Sequence, residues 1–392
     1  MSNSTIQNQY EHHVLPTYAR YPVAFVKGQS SRLWDADGKE YIDFASGIGV
    51  CSVGHAHPLW VKTVAGQAAK LAYVSNLFHT EPGAELAKKL CEISGLKAVF
   101  FANSGAESNE GLIKLARKYS LDNFGENRST IITLEGSFHG RTVTTLAATG
   151  QNQFHKHFHP FTEGFVHVPP NDLAALEAQG GDICALLIEP IQGEGGVLPL
   201  DADYVKQAAE LCKKRDWLLL VDEVQTGIGR TGDWFGFQGL NIQPDAVSFA
   251  KGIAGGLPFG GFLVHDKLRT TLQPGDHATT FGGNPLCAAV SLATLEILTQ
   301  TLPEVNKKGG YIREQIEKMK LPVVKAIRGK GLMLGIKVAG SHREINAKLL
   351  SAGLVSLTAG ADALRFLPPL TISMAEIDEG LAIFEKTMKG FI

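Results

Sequence analysis

The sequence predicts an α/β fold in which a mostly parallel central sheet is covered by helices and joined to a smaller α+β domain. Three observations carry this. From about residue 98 to residue 290, short apolar runs alternate with amphipathic segments, the pattern of parallel strands with helices packed across them. The run Trp217–Val221 is apolar at every position, as a buried parallel strand should be. The chain has 392 residues, 44% of them hydrophobic, which is enough for a large core and two or three domains.

The elements follow in order. "SRLWDADGKEYIDFASG" reads as a hairpin around Asp37-Gly38, and "VGHAHP" as a turn that His55 and His57 help to shape. The strand candidates are "AVFFANS", "TIITLEG", "FVHVPP", "ICALLIEP", "WLLLVDEV", "AVSFAKG" and "FGGFLVH". Between them, "SNEGLIKLARKYSLDNF" and "DADYVKQAAELCKKRD" carry apolar residues at three- and four-residue spacing, and the aspartates that open the second suit a helix N-terminus. "PLCAAVSLATLEILTQTLPEV" is a long helix; after it come "VKAIRGKGLMLGIKV", a helix, "ALRFLPPL" and a final helix. The resulting division is an N-terminal segment, residues 1–55, packing with the small domain; a large domain, 56–290; and the small C-terminal domain, 291–392.

Composition narrows the partners. Thirty-seven basic residues against 39 acidic ones give a net charge of −2, so no basic field favours nucleic acid or an anionic membrane. Five cysteines without paired spacing fit reduced thiols. The N-terminus lacks the pattern of a signal or transit peptide, and no run approaches the ~20 apolar residues of a membrane span. These features predict a cytoplasmic protein with small-molecule partners.

Asp222 and Glu223 directly follow the apolar run, and two readings compete. Asp222 either stands at the carboxyl end of a strand, where open α/β sheets hold ligands, or merely ends a strand before a Gly227-x-Gly229-x-x-Gly232 dinucleotide fingerprint. The second fails on "DWFGFQGLNIQPD", whose Gly236, Gly239 and Pro244 break the helix a pyrophosphate would need. Lys251, in "SFAKGIAGGLPFGG", also follows an apolar strand, one strand-to-strand unit further on, so both residues can end neighbouring strands on one sheet edge. A desolvated lysine and a carboxylate placed in this way are what pyridoxal phosphate requires: the lysine forms the Schiff base and the aspartate keeps the pyridine nitrogen protonated. In "FFANSGAESNE", Ser104-Gly105-Ala106 lies between a strand and a helix, where free N–H groups meet an anion; an ordinary N-cap by Ser104 or Ser108 is the alternative. In "EGSFHGRT", Phe138 is a candidate to cover the ring and Arg141 to clamp a carboxylate. Glu189 and Glu223 fall near this group without an assigned step. His155, His157 and His159 in "FHKHFHP" lack a second ligand cluster and read as exposed loop histidines, so no metal site is expected.

The stretches "NSGAESNE", "SFHGRT", "IEPIQGEGG", "LLLVDEVQTGIGRTG", "SFAKGIAGGLPFGG", "TTFGGNPL" and "LRFLPPL" together resemble the class III (ω-) aminotransferases, a pyridoxal-phosphate family of fold type I, over essentially the whole chain. The resemblance implies that Lys251 is the Schiff-base lysine, that Asp222 pairs with the pyridine nitrogen and that Gln225 contacts the ring hydroxyl. Gly105, Ala106 and Thr280 then hold the phosphate, and Phe138 covers the ring. It further implies a homodimer with shared active sites, Thr279 near the substrate, Arg141 on the donor's α-carboxylate, Arg365 on that of 2-oxoglutarate, and Glu194 masking Arg365 when the donor is bound. The implied reaction is transfer of the δ-amino group of N2-acetylornithine to 2-oxoglutarate, in arginine biosynthesis. Ornithine, succinylornithine and 4-aminobutyrate are alternative donors, because the cofactor residues do not select among them. A pyridoxal-phosphate aminomutase, needing no external keto acid, is the alternative of another class.

Overall fold

A computed structural model describes residues 1–391. Its largest sheet has seven strands in the spatial order Ala98–Ala102, Gly260–Val264, Ala246–Phe249, Leu218–Asp222, Ile183–Ile188, Thr130–Leu134 and Phe165–Val168. Each falls within a stretch read as a strand from sequence. All run parallel except Gly260–Val264, which is antiparallel to both neighbours. The reason is chain length: residues 250–259 hold only a short 3₁₀ turn, Lys251–Ala254, whereas a parallel return needs about a dozen residues or more.

Side chains alternate across the sheet. Leu219 and Val221 join one buried cluster with Leu186, Ile188 and Val247, while Leu218 and Leu220 join another with Ala185, Leu187 and Ala246. Both faces are covered, which is why the strands are apolar at consecutive positions. The helix Ala202–Lys214 starts as its aspartates predict, with Asp201 accepting from the backbone N–H groups of Asp203 and Tyr204.

The last third of the chain builds a four-stranded sheet from Val324–Lys330, Met333–Val338, Ala363–Phe366 and Leu357–Ala359. The N-terminal hairpin Arg32–Asp35 and Glu40–Asp43 forms as read, and Glu40–Asp43 pairs in parallel with Leu354–Val355, far along the chain.

The helix Pro285–Lys318 departs from two expectations. It continues past Pro303 well beyond Val305, and it contains a stretch long and apolar enough, by length and composition, to cross a membrane. More than half of that stretch is buried inside the fold, and its apolar character serves packing against Pro58–Lys70 and Glu81–Ser94. Near its C-terminal end the helix lies backbone to backbone on the turn at Gly331: a Cβ on Gly309 would stand 1.9 Å from the Gly331 carbonyl oxygen. Gly309→Ala is therefore expected to cost about 1–3 kcal/mol, the range for overpacking, despite alanine's better helix propensity. Urea unfolding checks this; an unchanged midpoint would mean that the turn yields.

Candidate active site

Because the strands ending at Ala102, Leu134, Ile188, Asp222 and Phe249 are parallel, the loops after them converge on one edge of the sheet. There they enclose a cavity of about 480 Å³, lined by Gly105, Ala106, Phe138, Arg141, Asp222, Gln225 and Lys251 among others. Residues picked from four separate stretches of sequence thus face one space.

Asp222 is buried at the end of a central strand. Its Oδ2 accepts from Asn109 Nδ2 at 2.7 Å and His139 Nδ1 at 2.8 Å, and its Oδ1 from the Val224 backbone N–H at 3.0 Å. Burial alone would raise the carboxyl's pKa, but these hydrogen bonds and the neighbouring imidazole hold it below the ordinary carboxylate range. The cavity floor is therefore anionic at neutral pH.

The neighbouring strand ends at Phe249, and Lys251 follows with φ +43°. A non-glycine residue in the left-handed region costs on the order of 1–3 kcal/mol, and such strain gathers at functional positions. Burial pushes the Lys251 ammonium below its usual pKa, against the opposing pull of Asp222 and Glu194. The geometry favours a reactive amine close to a fixed anion.

On the opposite side, Ser104 caps the helix Gly105–Phe124 by accepting from the Glu107 N–H at 3.2 Å. The first N–H groups of a helix have no intrahelical partner, and the dipole adds positive potential there. A Cβ on Gly105 would stand 2.7 Å from Val224 Cγ1, and one on Gly140 would lie 3.0 Å from the Ala106 Cβ. The cradle stays open only because side chains are missing from it, so the N-cap and anion-site readings of this turn are compatible.

Phe138 lies against the cavity with its backbone N–H on Glu189 Oε2 at 3.0 Å. Arg141 is solvent-exposed at the mouth, its guanidinium 5.4 Å from the Phe138 ring centroid and 3.8 Å from that of Phe154. Arg365 is 2% exposed; its Nη1 bonds Glu194 Oε1 at 2.6 Å and Gln225 Oε1 at 3.2 Å. Gln225 thus joins the cavity lining to the Arg365–Glu194 pair. Burial would raise the Glu194 pKa, yet Arg365 holds it below the usual range.

Thr279 and Thr280 stand apart from the cavity lining. Thr279 Oγ1 accepts from Asn103 Nδ2 at 3.0 Å, while Thr280 is exposed. After the Gly227/Gly229/Gly232 stretch there is only the four-residue helix Gly236–Gly239, so no dinucleotide helix follows. His157 and His159 are exposed, His155 Nε2 bonds the Leu146 carbonyl at 2.8 Å, and all five cysteines are free. Among the described residues no group of three or more His, Cys, Asp or Glu is placed to hold a metal ion.

Two residues at the floor escaped the sequence reading. His139, between Phe138 and Gly140, is buried and bonded to Asp222; Asn109 sits one helical turn after Gly105, on the same face. The spacing from Gly105 to Asn109 is the signal that could have found the second.

Residues 15–388 match the family described as aminotransferase class-III. The chain belongs to this family. As a class-III aminotransferase it is 48% identical to the acetylornithine aminotransferase of Haemophilus ducreyi, over 99% of both chains. It is 40% identical to the succinylornithine transaminase of Photorhabdus laumondii, over 98% of both. Among solved class-III structures, the acetylornithine aminotransferase of Elizabethkingia anophelis superposes with a TM-score of 0.89 at 33% identity, covering 100% of each chain. The ornithine aminotransferase of Toxoplasma gondii, which carries pyridoxal phosphate at partial occupancy in its active site, gives 0.94 at 30% identity, covering 99% of this chain and 94% of that one.

Proposed function

We propose that this class-III aminotransferase uses pyridoxal phosphate to move the δ-amino group of N2-acetylornithine to 2-oxoglutarate, yielding N-acetylglutamate 5-semialdehyde and glutamate in arginine biosynthesis. The observation that carries the chemistry is the buried Asp222 anion and the half-buried Lys251 amine facing one cavity beside a helix N-terminus of small residues. Full-length identity to a relative that acts on acetylornithine supports the donor. The residues fit the cofactor: the open cradle at Gly105 suits a phosphate, and Asp222 is an anion held ready for a ring nitrogen.

Pyridoxal phosphate, when bound, supplies an electrophilic carbon and a protonated ring that withdraws electrons. The N–H groups of Gly105 and Ala106 would hold its phosphate, Asp222 would keep the proton on the ring nitrogen, Gln225 would contact the ring hydroxyl and Phe138 would cover the ring. Lys251 Nζ would hold the cofactor and would be the base for the proton on the donor's amine-bearing carbon. Burial favours the neutral amine for both tasks. Arg141 binds the donor's α-carboxylate, and Thr279 reaches the substrate held by the neighbouring subunit. Arg365 stays paired with Glu194 while the donor is bound and is released to the α-carboxylate of 2-oxoglutarate, so one pocket serves two charge patterns.

The working unit in this reading is a cytoplasmic homodimer. Tyr73 and Phe281 rings lie 5.6 Å apart beside Leu77 and Phe78, which are 87% and 64% exposed. A second copy covering this apolar patch would bring Thr280 to the partner's phosphate site. The cofactor residues then belong to a large domain, 56–290, with residues 1–55 packed on the small domain, 291–392.

The test is the absorption spectrum of the purified protein with each donor added singly and no keto acid. Conversion to the amine form of the cofactor at low acetylornithine, but only at high ornithine or 4-aminobutyrate, is the expected result; an untouched spectrum with acetylornithine would overturn the donor. Succinylornithine is the second reading, favoured by the Photorhabdus laumondii relative, and reacts comparably if the pocket ignores the acyl group. Turnover without 2-oxoglutarate would point to an aminomutase. Arg365→Ala should raise KM for 2-oxoglutarate by about 10–100-fold, the scale of a lost charge-assisted bond, and change the donor half-reaction little. Equal losses in both halves would remove Arg365 from its assigned role.

A further inference from the structure

Glu189 sits directly after the strand Ile183–Ile188, is 6% exposed, and lines the cavity without touching any group assigned a chemical step. Its two oxygens serve two different loops. Oε2 accepts from the Phe138 backbone N–H at 3.0 Å, and Oε1 from the Gly193 N–H at 3.3 Å. Gly193 immediately precedes Glu194, the partner of Arg365.

The Gly193 turn closes the short hairpin of Ile191–Gln192 with Leu198–Pro199, and the Gly196 carbonyl accepts from Arg328 Nη1 at 3.5 Å. Gly195 and Gly196 follow Glu194, and glycine backbones are conformationally permissive. The Glu194 carbonyl is held by the Gly360 N–H at 2.9 Å, and the Gly193 carbonyl by the Val197 N–H at 3.4 Å. A Cβ on Gly193 would meet the Gln225 amide at 2.5 Å, so the turn lies tightly beside the other ligand of Arg365. Glu189 supplies the side-chain anchor at the start of the turn, and the same carboxyl fixes the loop bearing Phe138.

We propose that Glu189 is a positioning residue that couples the Phe138 loop to the Glu194–Arg365 pair, and so sets how readily Arg365 is released to a dicarboxylate acceptor. This rests on the reading of Glu194 and Arg365 given above. Burial, with the nearby Asp222 adding to it, pushes the Glu189 carboxyl up to about 7, and in its carboxylate form it accepts both N–H groups at once. Glutamine keeps the size but has a single accepting oxygen and no charge, so one loop meets an NH₂ and the other keeps only a weaker, neutral acceptor, and both links are loosened.

The experiment measures KM for 2-oxoglutarate and for acetylornithine in Glu189→Gln, Glu194→Ala and the double variant, each as holoenzyme. Melting temperature and the circular dichroism of the bound cofactor are read alongside. Glu189→Gln is expected to shift the ratio of the two KM values in the same direction as Glu194→Ala, by about tenfold, the scale of one charge-assisted hydrogen bond. In the double variant it should add little, because the pair it acts on is already gone. The cofactor dichroism should change in Glu189→Gln and not in Glu194→Ala, since only the first loosens Phe138. If Glu194→Ala leaves the ratio unchanged, the masking role of Glu194 fails and this proposal falls with it. If Glu194→Ala shifts the ratio and Glu189→Gln does not, or the two effects simply add, the coupling alone is overturned. Should Glu189→Gln melt too low to assay, Glu189→Asp serves: it keeps the charge, shortens the reach to both loops, and must shift the ratio in the same direction.

Discussion

Replacing Lys251 by alanine is expected to abolish turnover, a loss of at least about 10⁴-fold, because the side chain is asked to be both the attachment point and the proton carrier. The purified variant should also lose the visible absorption of the lysine-linked cofactor and release the cofactor on dialysis. Stability separates lost chemistry from lost fold. Burial holds the folded-state pKa of Lys251 below its unfolded value, so the folded protein is penalised for carrying the charge wherever the unfolded chain is protonated. That penalty fades only as pH rises from the depressed value toward 10.5, the ordinary one. Compared as cofactor-free proteins at neutral pH, the alanine variant should therefore melt no lower than the parent, with the left-handed backbone at residue 251 straining both alike. Ordinary transamination by the variant would sink the mechanism; a sharp fall in melting temperature would mean instead that Lys251 holds its turn together.

Lys251 and Asp222 were legible because each announces itself locally, as a charged residue at the end of a mostly apolar strand. The parallel order of the sheet then makes local position sufficient: strands running the same way must deliver their ends to one edge, so residues far apart in sequence meet without any further instruction. The Arg365–Glu194 contact did not come from such a pattern. It spans 171 positions, from the turn between Ile191–Gln192 and Leu198–Pro199 to the C-terminal sheet, and only the family resemblance pointed to it. His139 and Asn109 were missed for a related reason. Their common partner, Asp222, lies 83 and 113 positions away, and a histidine or asparagine on a helix face or loop looks the same in sequence whether or not a carboxylate waits there. Arg230 was silent too: buried at 2%, it donates to the carbonyls of Leu332 and Pro368 and has no carboxylate at salt-bridge distance among the described residues. Local pattern gives the catalytic pair, while the bonds that hold that pair in place are set by the tertiary fold.

Asp222→Ala is the second severe change, and those supporting bonds decide how it fails. Removing the carboxylate leaves His139 Nδ1 without its acceptor in a buried site, at about 1–3 kcal/mol, and leaves Asn109 Nδ2 only its bond to the His139 carbonyl. Unlike the lysine variant, this one should lose stability as well as rate. The donor half-reaction is expected to slow by about 10²–10³-fold, the scale seen when one preorganised electrostatic group is deleted, while some cofactor remains bound through Lys251 and the Gly105 cradle. Asp222→Asn tests whether charge or packing is responsible. It keeps the volume and one oxygen but turns an NH₂ toward donors already present, so it should recover part of the stability and almost none of the rate. The pH dependence carries a sign as well. With its folded pKa below the ordinary 3.8, Asp222 adds stability that is fully present above that value and is lost as pH falls through the depressed one. The parent should thus lose this contribution only in strong acid, and Asp222→Ala should lack it at every pH. A half-reaction rate unchanged in either variant would show that the ring nitrogen needs no anion beneath it, and the electron-withdrawing role of this site would have to be assigned elsewhere.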